Sequence, residues 1–121
     1  MKRFQLGCFL VLLGVGSSVF ARGWTTEHVL VDGEVSVTNT QKNSAWVPVA
    51  VMVRFDEPTS GNIKVIRENN GRRYTLGICV FTDAVSVVWV PDIPYSFTKG
   101  DTLRVESNLP DGVVQLIRKG E

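Results

Sequence analysis

The sequence predicts an all-β fold, a small antiparallel β-sandwich of jelly-roll type with about eight strands, and a small closed barrel as the alternative. Two observations carry this expectation. Apolar residues recur with period two in β-branched clusters, most plainly Val47, Val49, Val51, Val53 and Phe55. Between the clusters stand Gly, Pro, Asn and Asp, the residues that turn a chain, and no convincing helical spacing interrupts the pattern.

The first strand is expected over Glu27 to Val31 and the second over Glu34 to Thr38. Asp32-Gly33 between them supplies the positive φ of a two-residue turn, so the pair reads as a hairpin. Thr38 to Ser44 is polar and reads as a loop. Trp46 to Phe55 is the strongest strand, with the four valines and Phe55 on one face. Trp46, Pro48, Ala50, Met52 and Arg54 form the other face, which is also largely apolar. Both faces of this strand therefore call for cover. Pro48 lacks an N–H, which predicts an edge or a bulge near the start of the strand.

Asp56 to Gly61 reads as a turn and Ile63 to Arg67 as a short strand. Asn70-Gly71 then predicts the clearest hairpin of the chain, with Ile63 and Val65 aligned with Tyr74, Leu76, Ile78 and Val80 of the arm Arg72 to Phe81. Gly77 within that arm marks a bulge or a close approach. After a break at Thr82-Asp83, Ala84 to Val90 forms another strand, stopped by Pro91 to Pro94. Tyr95 to Phe97 is a short extended piece. Lys99-Gly100-Asp101 turns the chain into a strand over Thr102 to Ser107, and Val113 to Arg118 closes the domain.

The first 21 residues read differently. Lys2 and Arg3 precede an apolar run from Phe4 to Phe20, and Val19 and Ala21 occupy the small-residue positions before Arg22. That is the layout of a secretory signal peptide. The rival expectation is a retained membrane anchor, but roughly 20 consecutive apolar residues are needed to span a bilayer core. Gly14, Gly16, Ser17 and Ser18 weaken the distal end. The organisation expected is thus a leader over residues 1–21 and one β-sandwich domain over 22–121, in a secreted, periplasmic or cell-surface protein. Membrane contact is expected only through an uncleaved leader.

Losing the leader changes the chemistry of the remainder. Thirteen basic residues less Lys2 and Arg3 face twelve acidic ones, a net charge of about −1. With no basic block, nucleic acid is not an expected partner. Cys8 leaves as well, so Cys79 is the remaining thiol and no internal disulfide is expected. It reads as a buried, inert side chain between Ile78 and Val80.

Catalytic signals are weak. There is no nucleophile elbow, phosphate-binding loop or zinc spacing, and one histidine, His28, does not make a metal site. No cofactor is expected. Asp56, Glu57, Asp83, Asp92 and Asp101 would support a small hydrolase only if two of them met in a cleft. Aromatic and basic residues offer better leads. Trp24 stands near the presumed new N-terminus, and Trp89 and Tyr95 bracket the proline-rich turn. Arg67, Arg72 and Arg73 crowd the hairpin tip. Such groups stack on sugars, pair with acidic ligands or anchor a protein interface. Core packing competes as an explanation for Trp89, and cross-strand pairing with glutamate for the arginines.

The expected function is a non-enzymatic structural or assembly subunit making protein–protein contacts, through a partner or by self-association. Its setting would be a cell envelope or an extracellular or virion particle. The alternatives are a secreted carbohydrate-binding or adhesive module and a small secreted hydrolase.

Overall fold

The computed structural model describes residues 23–120, so the leader and its boundary before Arg22 lie outside the described residues. Six strands follow one another: β1 (Gly23–Val29), β2 (Glu34–Thr38), β3 (Trp46–Asn69), β4 (Arg72–Trp89), β5 (Thr102–Ser107) and β6 (Val113–Gly120). All pairings are antiparallel.

The long hairpin β3–β4 organises the sheet. The first half of β3, Trp46 to Arg54, pairs with β6, and β6 pairs with β1. The second half, Ile63 to Glu68, pairs with β5, and β5 pairs with β2. β4 runs along the other side of both halves. The single curled sheet thereby folds into two layers, β1-β6-β3-β4 and β2-β5-β3-β4, over one core. Val51 and Val53 from one half of β3 meet Ile63 and Val65 from the other, with Val105, Val114 and Leu116 between them. Burying each such side chain contributes about 1.5–3 kcal/mol.

The sandwich matches the sequence expectation, but the strand count falls to six. Asp56 to Gly61 does not end a strand. Register shifts between Arg54 and Thr59, and between Thr59 and Gly61, absorb the polar residues and Pro58 as bulges while β3 continues. Thr82-Asp83 likewise bends β4 without stopping it, Asp83 taking a φ of 51°. Two long strands that each serve both layers do the work of four short ones.

The expected hairpin of β1 with β2 is reduced to one bridge, Val31 to Glu34. The turn itself forms, with φ of 52° at Asp32 and 81° at Gly33. It is clamped from outside: Gly33 N–H donates to Pro110 and the Ser107 N–H donates to the Gly33 carbonyl. A Cβ at Gly33 would lie 2.6 Å from the Ser107 oxygen. Beyond the turn β1 and β2 diverge, because β6 and β5 take their edges.

The turn at Asn70-Gly71 is as expected, with positive φ at both residues, but the register is not: a shift between Val65 and Ile66 sets Ile63 and Val65 opposite Cys79 and Gly77 in place of the alternate set Tyr74, Leu76, Ile78 and Val80. The alternation in early β3 also departs from expectation. Val49 is an extra residue between the Pro48–Arg118 and Ala50–Ile117 pairs. This bulge switches the parity, so Trp46 and Pro48 join Val51 and Val53 on the inward side.

Candidate functional site

The two arms of the β3–β4 hairpin set opposing residues on a common face. Arg67 faces Tyr74 and Asn69 faces Arg72 across the ladder. Together with Asn70, Leu76 and Tyr95 they line a groove of about 610 Å³. Three residues singled out in the sequence, Arg67, Arg72 and Tyr95, therefore share one site.

The back of the groove is held by Asp101, which is fully buried. Arg67 Nη2 donates to its Oδ2 at 2.8 Å, and Asn69 Nδ2 donates to Oδ1. The backbone N–H of Thr98 (2.8 Å) and its hydroxyl (3.2 Å) also donate to Oδ2. Burial alone would raise the Asp101 pKa. The hydrogen bonds from Asn69 and Thr98 and the charge of Arg67 outweigh it and hold the carboxyl below its ordinary value. Asn39, also buried, steadies the same turn: its side-chain amide donates to the Phe97 carbonyl at 2.7 Å and its backbone N–H to the Asp101 carbonyl.

Tyr95 approaches from the segment after β4, its hydroxyl donating to Asp92 at 2.8 Å. That hydrogen bond, with burial and the Asp92 charge, raises the Tyr95 pKa. Arg72 makes no ion pair with any described residue.

Arg73 points to the opposite face, as strand alternation requires. It pairs with Glu68 and Glu106, and Arg104 extends the network to Glu68 and Glu34. Trp89 is core: it is 6% exposed, and its indole packs against Gly77, where a Cβ would collide with Nε1. Trp24 is 38% exposed at the start of β1.

Trp24 begins a stack that no local sequence signal announces. The Arg118 guanidinium lies 5.0 Å from the Trp24 ring and 4.8 Å from that of Trp46. Trp46 lies parallel to Phe97 at 4.7 Å between centroids, and Arg67 covers Phe97 at 5.1 Å. Cations and aromatic faces attract in this arrangement. The stack thus links β1, β6 and early β3 to the rear of the groove. Arg118 is 8% exposed, its Nε lacks a hydrogen-bond partner among the described residues, and burial lowers its pKa. Its Nη2 donates to Thr26 Oγ1 at 3.2 Å, and Thr26 shares a 2.8 Å hydrogen bond with His28 Nε2.

Asp56, Glu57, Asp83 and Asp92 are exposed, and Asp101 is occupied by its partners. Among the described residues no three His, Cys, Asp or Glu side chains gather as metal ligands. The Cys79 thiol donates to the Val88 carbonyl at 3.9 Å and packs against the core.

No protein-family model matches the chain. No curated protein matches it either. Among solved structures, the core of Drosophila NLP, described for its insight into pentamer formation and histone binding, is 9% identical with a TM-score of 0.50. That alignment covers 82% of this chain and 97% of that one. The nucleoplasmin-like N-terminal domain of Drosophila FKBP39 is 15% identical with a TM-score of 0.48, over 84% of this chain and 92% of that one. A pentameric capsid protein from metagenomic phage sequences is 16% identical with a TM-score of 0.43, over 98% and 87%. The likeness is one of architecture: an all-β, curled antiparallel sheet of the jelly-roll or β-sandwich kind, a fold also found in oligomeric assemblies.

Proposed function

We propose that this chain is a non-enzymatic assembly subunit, exported from the cytoplasm, whose first partner is a second copy of itself. The observation that carries this reading is the outer edge of β4. The strand runs for 18 residues and, among the described strands, pairs with β3 alone. Along it Ile78, Val80 and Val85 are 58%, 80% and 49% exposed. A long edge with apolar side chains is a template for another strand, and proteins that avoid such pairing blunt their edges with charge, proline or cover.

The charge pattern of β4 suits an antiparallel copy. Arg72 and Arg73 open the strand and Asp83 is its single acidic residue. A two-fold axis near Ile78 would set Arg73 of each copy opposite Asp83 of the other, on the face away from Arg72. Export rests on the composition of residues 1–21, and a cell envelope or an extracellular or virion particle is the setting it suggests. The pentamers named for NLP belong to that protein, and the present reading stands on β4.

Sedimentation over a wide concentration range tests it. A reversible dimer or larger oligomer is expected. A protein that stays monomeric up to millimolar concentration overturns the reading.

A further inference from the structure

We propose that the groove at the β3–β4 tip binds an acidic saccharide, an oligosaccharide bearing a carboxylate such as a uronate residue. Arg72 would contact the carboxylate, and Tyr74 and Tyr95 the sugar rings. This is independent of self-association through β4.

The back and one side of the groove are organised before any ligand arrives. Asp101 fixes Arg67 and Asn69 from behind, and Phe97 supports the Arg67 guanidinium. Asp92 fixes the Tyr95 hydroxyl. Groups already held in place lose little freedom on binding. The volume, about 610 Å³, lies within the range of small-ligand sites.

Its chemistry points to one ligand class. Arg67, Arg73 and Arg104 each have a carboxylate partner, whereas Arg72 has none among the described residues. A guanidinium fork without a partner matches a carboxylate in bidentate geometry. Asn69 spends its amide N–H on Asp101, leaving its oxygen to accept from a sugar hydroxyl. Asn70 offers both donor and acceptor. Tyr74 is 52% exposed and presents an aromatic face of the kind that packs on a pyranose ring. Leu76 is the sole aliphatic lining residue, so an apolar peptide side chain finds little to fill. Asp92 and Asp101 balance the two groove arginines, so recognition rests on the contact of one carboxylate with Arg72 and not on net positive charge.

Calorimetric titration with tri-galacturonate, with the same trisaccharide reduced to its neutral form, and with penta-glutamate tests the assignment. Tri-galacturonate should bind at least about tenfold more tightly than the neutral sugar, the difference expected from one charge-assisted bidentate contact. Arg72→Ala should erase that difference, Arg72→Lys should retain part of it, and Tyr74→Ala should weaken both sugars. Near-ultraviolet circular dichroism checks that each variant is folded. Binding that persists in Val80→Lys, which alters the β4 edge away from the groove, separates this site from self-association. Equal affinity for acidic and neutral sugar, equal affinity for penta-glutamate, or absence of saturable binding by the unaltered protein would each overturn the proposal.

Discussion

Arg67 and Asp101, 34 residues apart in sequence, join at 2.8 Å between Nη2 and Oδ2. The pair ties the far half of β3 to the turn that precedes β5. Asp101→Ala strands the guanidinium and removes the acceptor for Asn69 and Thr98. A loss of about 2–4 kcal/mol in unfolding free energy is expected, below the full cost of a deeply buried pair because Arg67 is partly exposed. Urea denaturation measures it. The Asp101 pKa is held below its ordinary value of 3.8. Its contribution to stability is therefore complete above that value and is lost as pH falls through the lower folded value. Asp101→Asn should remove this part of the acid transition.

His28 governs a separate pH window. Burial, then the nearby charge of Arg118, lowers its pKa from 6.5. Thr26 accepts from Arg118, which leaves its hydroxyl hydrogen free for the lone pair of a neutral His28 Nε2. The unfolded chain takes up a proton near 6.5 while the folded one resists until a lower pH. Stability should therefore decline as pH falls below that value. His28 is the single histidine of the chain, so His28→Gln should flatten the decline. Thermal melts at pH 7.5 and pH 5 compare the two proteins; an unchanged slope in the variant would refute this assignment.

Arg118 fills the space between two indoles at the cost of burying a charge. Arg118→Met keeps an unbranched stem and removes the desolvation cost, so it should change stability by less than about 1.5 kcal/mol. Arg118→Ala leaves Trp24 and Trp46 without the group between them and should cost about 2–3 kcal/mol. If methionine proves as damaging as alanine in chemical denaturation, the stack depends on charge and not on volume.

Gly77 is an accommodation to Trp89. Its missing Cβ leaves room for the indole, and a Cβ would lie 2.7 Å from Trp89 Cδ1. Gly77→Ala should destabilise by about 1–3 kcal/mol through overpacking. Trp89→Phe opens the same space, so the double variant should be more stable than the sum of the single effects implies. Additive losses in denaturation would show that the two positions do not share the strain.

What could be read from the sequence divides along physical lines. The tip of the hairpin, from Arg67 to Tyr74, is legible because Asn70-Gly71 demands positive φ, whereas the shift between Val65 and Ile66 that resets the pairing of the rest is not. The groove is partly legible for the same reason. Arg67 and Arg72 stand at the tip, and counting across the turn places Tyr74 opposite Arg67. Strand alternation separates Arg73 from Arg72. Bulges are only partly legible: Pro48 marks an edge or a bulge near the start of β3, but Val49 looks like any strand valine until Pro48 and Ala50 are paired with β6. Asp56 to Gly61 has turn composition, yet long-range pairing carries β3 through it. Asp101 has no local signal either, since its partners Arg67 and Asn69 come from β3. The Trp24–Arg118–Trp46–Phe97 stack draws on four separate segments and emerges only from tertiary packing.

Val80 supplies the most direct test of the β4 edge. It is 80% exposed midway along a strand that, among the described strands, pairs with β3 alone, so its side chain contributes little to the monomer core. Val80→Lys places a charge where the proposed second copy would lie, a substitution characteristic of protected edges. Monomer stability should change by no more than about 0.5 kcal/mol, as for other surface changes. Self-association should weaken at least about tenfold, because each lysine replaces an apolar side chain at the edge where the second copy would pair. The opposite pairing of effects, lost stability with unchanged sedimentation, would place Val80 in the fold of the monomer and move the interface to another strand.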